Sequence, residues 1–401
     1  MPPTRTYLAV PFAQHQEAKQ AGARWDPKHR AWYTLKLTAT LSRWLPSPER
    51  PELHNAASQA STQFAAVMHT LGLQTGHGHP IGDGHPHRVP TVDDRPGRKS
   101  GFYVLHLDGL PAGCALNHKT GERLHWHARM QLNEADRAQL RAHAAAESER
   151  RDQQQRQTQQ ATALRCQQHL QQLQPVPSGA TTEYLQRKGV GAQTGLYSSN
   201  NGQLTHVPAY DIHGNLWTTQ TIHPTGDKRF ARGGKIKGCF HPLGGFNTLQ
   251  RAANQGVVVL AEGYATAATV LYLAQNPDFP VAAVAAFQAN NLPAVAQAIR
   301  KQYTAVPLVI AADDDHQNRI NAGLHYAHIA ARDTGAQVVS PPFTNEHPPQ
   351  LSDWNDLDQY AQAKGQSWSE YRKPLLEALQ AQHQSRSQTR PPQQRTAQRR
   401  R

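Results

Sequence analysis

Cysteine is scarce in this 401-residue chain, and its placing excludes more than its number does. Cys114, Cys166 and Cys239 lie far apart and form no CxxC pair, so they build neither a cysteine-rich zinc ribbon nor a disulfide framework. No apolar run approaches the roughly 20 residues that cross a bilayer. The opening Met1-Pro2-Pro3-Thr4-Arg5 lacks the apolar core of a signal peptide. These absences predict a reducing, cytoplasmic setting and no membrane partner. There is no G-x-x-x-x-G-K-[ST], and Gly233-Gly234-Lys235 has the wrong spacing for one, which removes P-loop ATPase or helicase chemistry. Acid is also in short supply. Against 42 Lys and Arg stand 29 Asp and Glu, for a formal charge of +13 and a pI near 9.8. Such an excess favours a polyanionic partner, nucleic acid above all. With 38% hydrophobic residues and a mean hydropathy of -0.70, a core can form only where apolar residues are concentrated. The length suits two or three domains.

The concentration lies between Gln255 and Ser340. Short apolar runs at 256–261, 281–287 and 306–312 alternate with helical patterns, and a further strand is expected at 337–340. Such an alternation predicts an α/β fold with a parallel sheet and right-handed crossovers. Acids follow two of the runs: Glu262-Gly263 the first, Asp313-Asp314-Asp315 the third. In open parallel sheets ligands bind beyond the carboxyl ends of the strands, where these acids fall. Asp313 and Asp315 are two apart, so in an extended segment both carboxylates point to one side and Asp314 to the other. Such a pair facing Glu262 suits a cation bridged to phosphates. A DxD alone is weak, and three acids in a loop without metal is the plain alternative.

The rest of the chain reads as attachments to this region. Residues 1–50 form a small α+β module, with strands at 7–12 and 31–35, a helix at 14–21 and a turn at 23–27; Trp25 and Trp32 are expected in its core. His77 to His87 places four histidines and Asp83 in a Gly/Pro-rich loop. That loop invites a metal, but its spacing matches no structural zinc pattern. Arg88, Arg95, Arg98 and Lys99 cluster nearby. Residues 133–176 are rich in Ala, Gln, Arg and Glu and predict a long solvated helix serving as a spacer. Residues 177–250 are strand-rich and basic: Lys228, Arg229, Arg232, Lys235 and Lys237 stand among glycines, a composition suited to phosphates. The tail at 384–401 contains no acid and predicts a disordered, electrostatic arm.

Several motifs carry a resemblance. Leu260-Ala261-Glu262-Gly263-Tyr264-Ala265-Thr266-Ala267 and Ile310-Ala311-Ala312-Asp313-Asp314-Asp315, followed by Asn321-Ala322-Gly323, resemble the Toprim domain of plasmid and phage primases. Asp353-Trp354-Asn355-Asp356-Leu357 is similar to the element that follows Toprim in that group, and the basic block to the subdomain before it. The segment 79–126 resembles one found upstream of the primase domain in plasmid TraC-type proteins. The small module, with GARWD followed by WY, resembles a domain of unknown function attached to plasmid DNA-processing proteins.

The resemblance covers residues 181–360 and implies a DnaG-like primase core, a metal-dependent ribonucleotide polymerase on single-stranded DNA in plasmid replication or transfer. By position it makes Glu262 the general acid/base or metal-facing carboxylate, and Asp313 and Asp315 the ligands of Mg²⁺ or Mn²⁺. Asp353 and Asp356 would supplement the metal or cap a helix. Lys228, Arg229, Arg232, Lys235 and Lys237 would contact template or nucleotide phosphates, with a plasmid helicase or transfer protein as a further partner. A Toprim nuclease and a non-catalytic DNA-binding accessory of plasmid transfer are the competing readings.

Overall fold

The computed structural model describes residues 5–47, 51–76, 78–128, 132–274, 278–317 and 321–389. The chain divides into two compact units at residues 154 and 155.

In the first unit, β1 (Thr6–Leu8), α1 (His15–Gln20), β2 (Arg24–Asp26), β3 (Ala31–Thr34) and α2 (Ala39–Ser42) make a module whose sheet order is β1-β3-β2. Its core is Leu8, Val10, Ala18, Ala23, Leu41 and Trp44. Two expectations fail here. The supposed turn at 23–27 contains β2, because Arg24, Trp25 and Asp26 pair with Tyr33, Trp32 and Ala31. Pairing then turns Trp25 outward, and it is 43% exposed. The polar anchor is Asp26, whose Oδ2 accepts from Arg5 Nη1 at 2.7 Å and Tyr7 Oη at 2.8 Å and lies 2.9 Å from His29 Nδ1. Burial alone would raise this carboxyl's pKa; the hydrogen bonds from His29 and Tyr7 hold it well below the usual range.

Helix α3 (Pro51–Thr70) packs on a second antiparallel sheet of β4 (His87–Val89), β5 (Gly101–His106), β6 (Ala112–Asn117) and β7 (Arg123–His127), in sequence order. Alternation along β5 turns Tyr103 and Leu105 inward against Phe64 and Met68. The histidine-rich loop is tied to this sheet: His79 Nδ1 lies 2.5 Å from Tyr103 Oη and His87 Nε2 lies 2.9 Å from Asp83 Oδ1. His77 is outside the described residues.

Helix α4 (Glu134–Gln171) is the expected long helix, but it is not solvated all round. Ala138, Ala142 and Ala145 pack with Tyr7 and Ala31, and farther along Thr162, Cys166 and Leu170 are buried at four-residue spacing. Small and weakly polar side chains form these stripes, which hides them from a hydropathy count.

The second unit opens with β8 (Gln174–Pro175), α5 (Glu183–Arg187), β9 (Tyr197–Ser199), β10 (Leu204–Tyr210), β11 (Leu216–Ile222) and β12 (Lys228–Phe230). These strands form an antiparallel sheet in the order β12-β11-β10-β9-β8. There follow β13 (His241–Pro242), α6 (Gly245–Gln255), β14 (Val257–Ala261), α7 (Tyr264–Leu273), β15 (Val281–Ala285), α8 (Leu292–Gln302), β16 (Leu308–Ala311), α9 (Ala322–Thr334) and β17 (Gln337–Val339). Their sheet runs β13-β15-β14-β16-β17, parallel except for the short edge strand β13, which the sequence reading did not foresee.

Every residue of β14 and β16 is buried, which is why both read as unbroken apolar runs. Val257, Val259 and Ala261 face one apolar cluster with α7, while Val258 and Leu260 face another with α6 and α8. The chain closes with α10 (Trp354–Ala363), α11 (Trp368–Tyr371) and α12 (Lys373–Thr389). Helix α12 runs past Gln384, where disorder was expected, because Arg386 Nη1 donates to Ala253 O at 3.0 Å beside the end of α6. Residues 390–401 of that tail lie outside the described residues. No helix among the described residues is long and apolar enough to cross a membrane.

The passage from α6 into β14 admits no side chain: a Cβ on Gly256 would lie 1.7 Å from Pro280 O. Gly256→Ala is therefore expected to cost about 2–3 kcal/mol by forcing β14 and the chain entering β15 apart. Urea unfolding followed by circular dichroism should show a lower midpoint for the variant.

Candidate active site

The site grows from the ends of β14 and β16, adjacent in register. Glu262 is the first residue beyond β14, and Gly263 then starts α7 as its N-cap. Asp313 follows β16 after Ala312, whose N–H is held by Val339 O at 2.9 Å. The close start of α9 needs Gly323, where a Cβ would lie 2.2 Å from Asp313 O. Both strands thus deliver a carboxylate to one end of the sheet.

Electrostatics tie the acids together. The Glu262 carboxyl is pushed up to about 7, by burial first and then by repulsion from Asp315; Lys228 and the Ala289 N–H oppose the rise. Asp313 is raised well above the ordinary range, by burial first and then by Glu262, Asp353 and Asp315, with Lys228 again opposing. Its Oδ1 is buried and has no hydrogen-bond partner among the described residues. Lys228 reaches the strand end from β12: its Nζ lies 3.5 Å from where a Cβ on Gly263 would be. Phe230, two residues on, meets Phe287 with ring centroids 5.3 Å apart. Phe287 holds φ +70, a left-handed conformation unusual for a bulky residue, just beyond β15.

The remaining acids divide by role. Asp314 Oδ1 accepts from Asn321 Nδ2 at 2.6 Å, and Asn321 Oδ1 caps α9 by accepting from Leu324 N at 3.2 Å. Asp314 is therefore tied to the capping residue instead of being the cap. Asp315 Oδ2 accepts from Gly323 N at 3.3 Å. Asp353 caps α10 by accepting from Asp356 N at 2.8 Å, yet it also acts on Asp313 and has its own pKa raised, by burial first and then by Asp356. Asp356 is taken up otherwise, with Lys188 Nζ at 3.2 Å from Oδ1 and Ser352 N at 3.2 Å from Oδ2. Its neighbours Trp354 and Asn355 are fully buried, and Asn355 Nδ2 reaches Thr269 Oγ1 at 2.9 Å and Lys188 O at 2.8 Å. The motif is as much a clamp as a site.

The five cations of the basic block do not form one track. In β12 Lys228 and Phe230 point toward the strand-end acids and Phe287, whereas Arg229, between them, lines a cavity on the other face of the sheet with Arg232. Lys235 Nζ lies 4.3 Å from the centre of the Trp217 ring, and Lys237 is exposed. Sequence reading missed Asn291, which is 3% exposed: it accepts from Gly238 N at 2.8 Å and donates to Cys239 O at 2.9 Å and Ala286 O at 2.8 Å. Its signal, an Asn pair opening a helix, is too common to single out.

The Toprim domain family matches residues 257–366, which hold Glu262, Asp313, Asp315 and Asp353. Those residues are a Toprim domain. A domain of unknown function (DUF5710) matches residues 5–46. Two proteins from Escherichia coli, each called DNA primase TraC, are 40% identical to this chain over 359 and 363 residues. Those alignments take in 86% of this chain but 33% and 24% of the relatives, so the chain spans about a third or a quarter of their length. A solved structure of the DnaG primase catalytic domain bound to ssDNA overlays 58% of this chain and 82% of its own, at 16% identity and a TM-score of 0.32, too loose a fit to bear on function.

A divalent cation fits the Toprim acids: the donors are hard carboxylate oxygens, and Asp313 Oδ1 is buried without a proton donor among the described residues. Among the described residues the one His/carboxylate trio with donor atoms all within 4.8 Å of one another is His29, Glu149 and Asp152, in the first unit. Glu262, Asp313, Asp315 and Asp353 do not form such a trio among the described residues, so an ion held by them would complete its shell with waters and phosphate oxygens.

Charging Glu262 is the costly state in the fold. Above pH 7 that cost is present in full; as pH falls through about 7 the native carboxyl gains a proton that the unfolded chain does not bind until nearer 4.5. This group's contribution to stability therefore improves on acidification over that window, and a cation relieves the cost only where the carboxyl is charged. Mg²⁺ at tenfold over its Kd should raise Tm by about 3–6 °C at pH 8 and by clearly less at pH 6. Thermal melts of the wild type and Asp313→Asn, with and without Mg²⁺, check this; equal shifts at both pH values would refute it.

Proposed function

We propose that the chain is a DNA primase of the Toprim type, a nucleotidyltransferase joining ribonucleotides on a single-stranded DNA template. The observation that carries this reading is the Asp313 carboxylate, buried with one oxygen unpartnered among the described residues and set among Glu262, Asp315 and Asp353 opposite Lys228. The names of the 40%-identical relatives support it. Toprim domains bind divalent metals, and Asp313 and Asp315, with Glu262 facing them and Asp353 behind, would hold Mg²⁺ or Mn²⁺. Such an ion would lower the pKa of a ribose 3′-hydroxyl and neutralise the incoming triphosphate.

The chain's own groups do the rest. Glu262, with its pKa near 7, is poised to take a proton from the attacking hydroxyl at neutral pH. Lys228 Nζ, beside Gly263, offsets phosphate charge at the mouth of α7. Asp356 is removed from the ligand set by Lys188, and its part is to hold α10 so that Asp353 faces Asp313. Single-stranded DNA and nucleoside triphosphates are the partners, with a helicase or transfer protein as a further one, in a cytoplasmic setting.

The test is template-dependent incorporation of labelled ribonucleotides on single-stranded DNA with Mg²⁺. Wild type should extend; Asp313→Ala and Glu262→Gln should each lose at least about 100-fold in rate, the scale of a lost acid/base group or metal ligand. Lys228→Ala should chiefly raise KM for the nucleotide. Full activity in Glu262→Gln would remove Glu262 from the chemistry. Nicking of supercoiled plasmid by wild type, with no incorporation, would replace the primase by a nuclease.

A further inference from the structure

On the other face of the β8–β12 sheet lies a cavity of about 420 Å³, roofed by the second half of α4. Two independent patterns build it. Along α4, Thr162, Arg165, Cys166 and His169 recur at i, i+3, i+4 and i+7 on one face of the helix, Thr162 and Cys166 buried and Arg165 and His169 exposed at the rim. Across the sheet, register places Arg229 opposite Thr221, and Thr221 opposite His206, in one transverse row on adjacent strands. Thr219 and His223 flank that row and Arg232 closes its end.

The lining is cationic, and Arg165 is held in it by donating through Nη2 to Thr162 Oγ1 at 2.8 Å. It includes Arg165, Arg229, Arg232, His169, His206 and His223 but no carboxylate, and among the described residues no ion pair engages any of the three arginines. His206 is 4% exposed, its Nε2 2.8 Å from Ser199 Oγ and its Nδ1 3.1 Å from Thr221 Oγ1. Burial first, and then repulsion from His169 and His223, pushes its pKa down to about 4, as expected where positive charge is crowded without a counter-charge. The hydroxyl of Thr219, a residue 5% exposed, is buried without a hydrogen-bond partner among the described residues. A desolvated hydroxyl of this kind is costly to the fold until a ligand satisfies it.

We propose that this cavity is a second nucleotide site, separate from the Toprim acids, that binds a mononucleotide through its phosphates. Arginines that line one cavity from a helix and from a strand can meet phosphate oxygens in the bidentate manner that lysine cannot. A volume of about 420 Å³ falls within the range of small-ligand clefts and admits one nucleotide. A continuous DNA strand would need an open track, whereas α4 covers this sheet face. Recognition here needs no metal, since arginines and not bridging cations meet the phosphates. The proposal stands without the polymerase reading.

Its test uses the full chain in EDTA, which withholds divalent ions from the acids. ATP and pyrophosphate should bind by isothermal titration, and adenosine should not. Arg165→Glu and the milder Arg165→Gln should weaken ATP binding at least tenfold while the far-ultraviolet circular dichroism stays unchanged. Lys228→Ala, which alters the other face, should bind as wild type. The proposal is overturned if ATP fails to bind in EDTA, if Arg165→Gln folds and binds normally, or if Lys228→Ala abolishes binding. Displacement of ATP binding by a short oligo(dT) that itself binds more tightly through Arg165 would also overturn it, reassigning the cleft to template.

Discussion

Carboxylates driven together at the ends of apolar strands repel one another, and the second unit depends on how that repulsion is contained. Strands β14 and β16 are buried along their whole length, so they cannot yield, and they hold Glu262 and Asp313 where charge is costly. The surroundings answer with few groups: Lys228, the Ala289 N–H and the cap of α10. Asn291 and the Phe230–Phe287 contact serve the same end, since they fix the loop and strand that bring Ala289 and Lys228 to the acids. A rigid apolar frame thus creates the demand for positive charge on which catalysis would draw.

Much of this was legible because parallel strands buried on both faces write themselves as unbroken apolar runs, and the acids stand where those runs stop. The edge strand β13 was not legible, because its two residues, His241 and Pro242, carry no periodicity. Neither was the division of labour within the aspartates: Asp356 satisfied by Lys188, across 168 positions of sequence, is invisible without the fold. Trp25 misled for a different reason. A small module has too little interior for every aromatic residue, and pairing in β2 decides which one is left outside.

The long helix shows how composition conceals function. Reckoned by hydropathy α4 is a spacer, yet alanines seat its first half against Tyr7 and Ala31, and Thr162, Cys166 and Leu170 seat its second half. Arg165 and His169 project from the same side as Thr162 and Cys166. A helix that packs through small side chains is free to present long charged ones beside them, which a strongly amphipathic helix cannot do as readily.

Strand β12 separates the two cationic environments by a single peptide unit, because successive side chains leave a strand in opposite directions. Register is therefore a form of addressing. One residue added to or removed from the turn before Lys228 would exchange the deliveries, sending a guanidinium to the acids and an ammonium to the cavity beneath α4. Turn length before β12, held by His223 N to Asp227 O at 2.9 Å, is accordingly a heritable setting that assigns which cation serves which face.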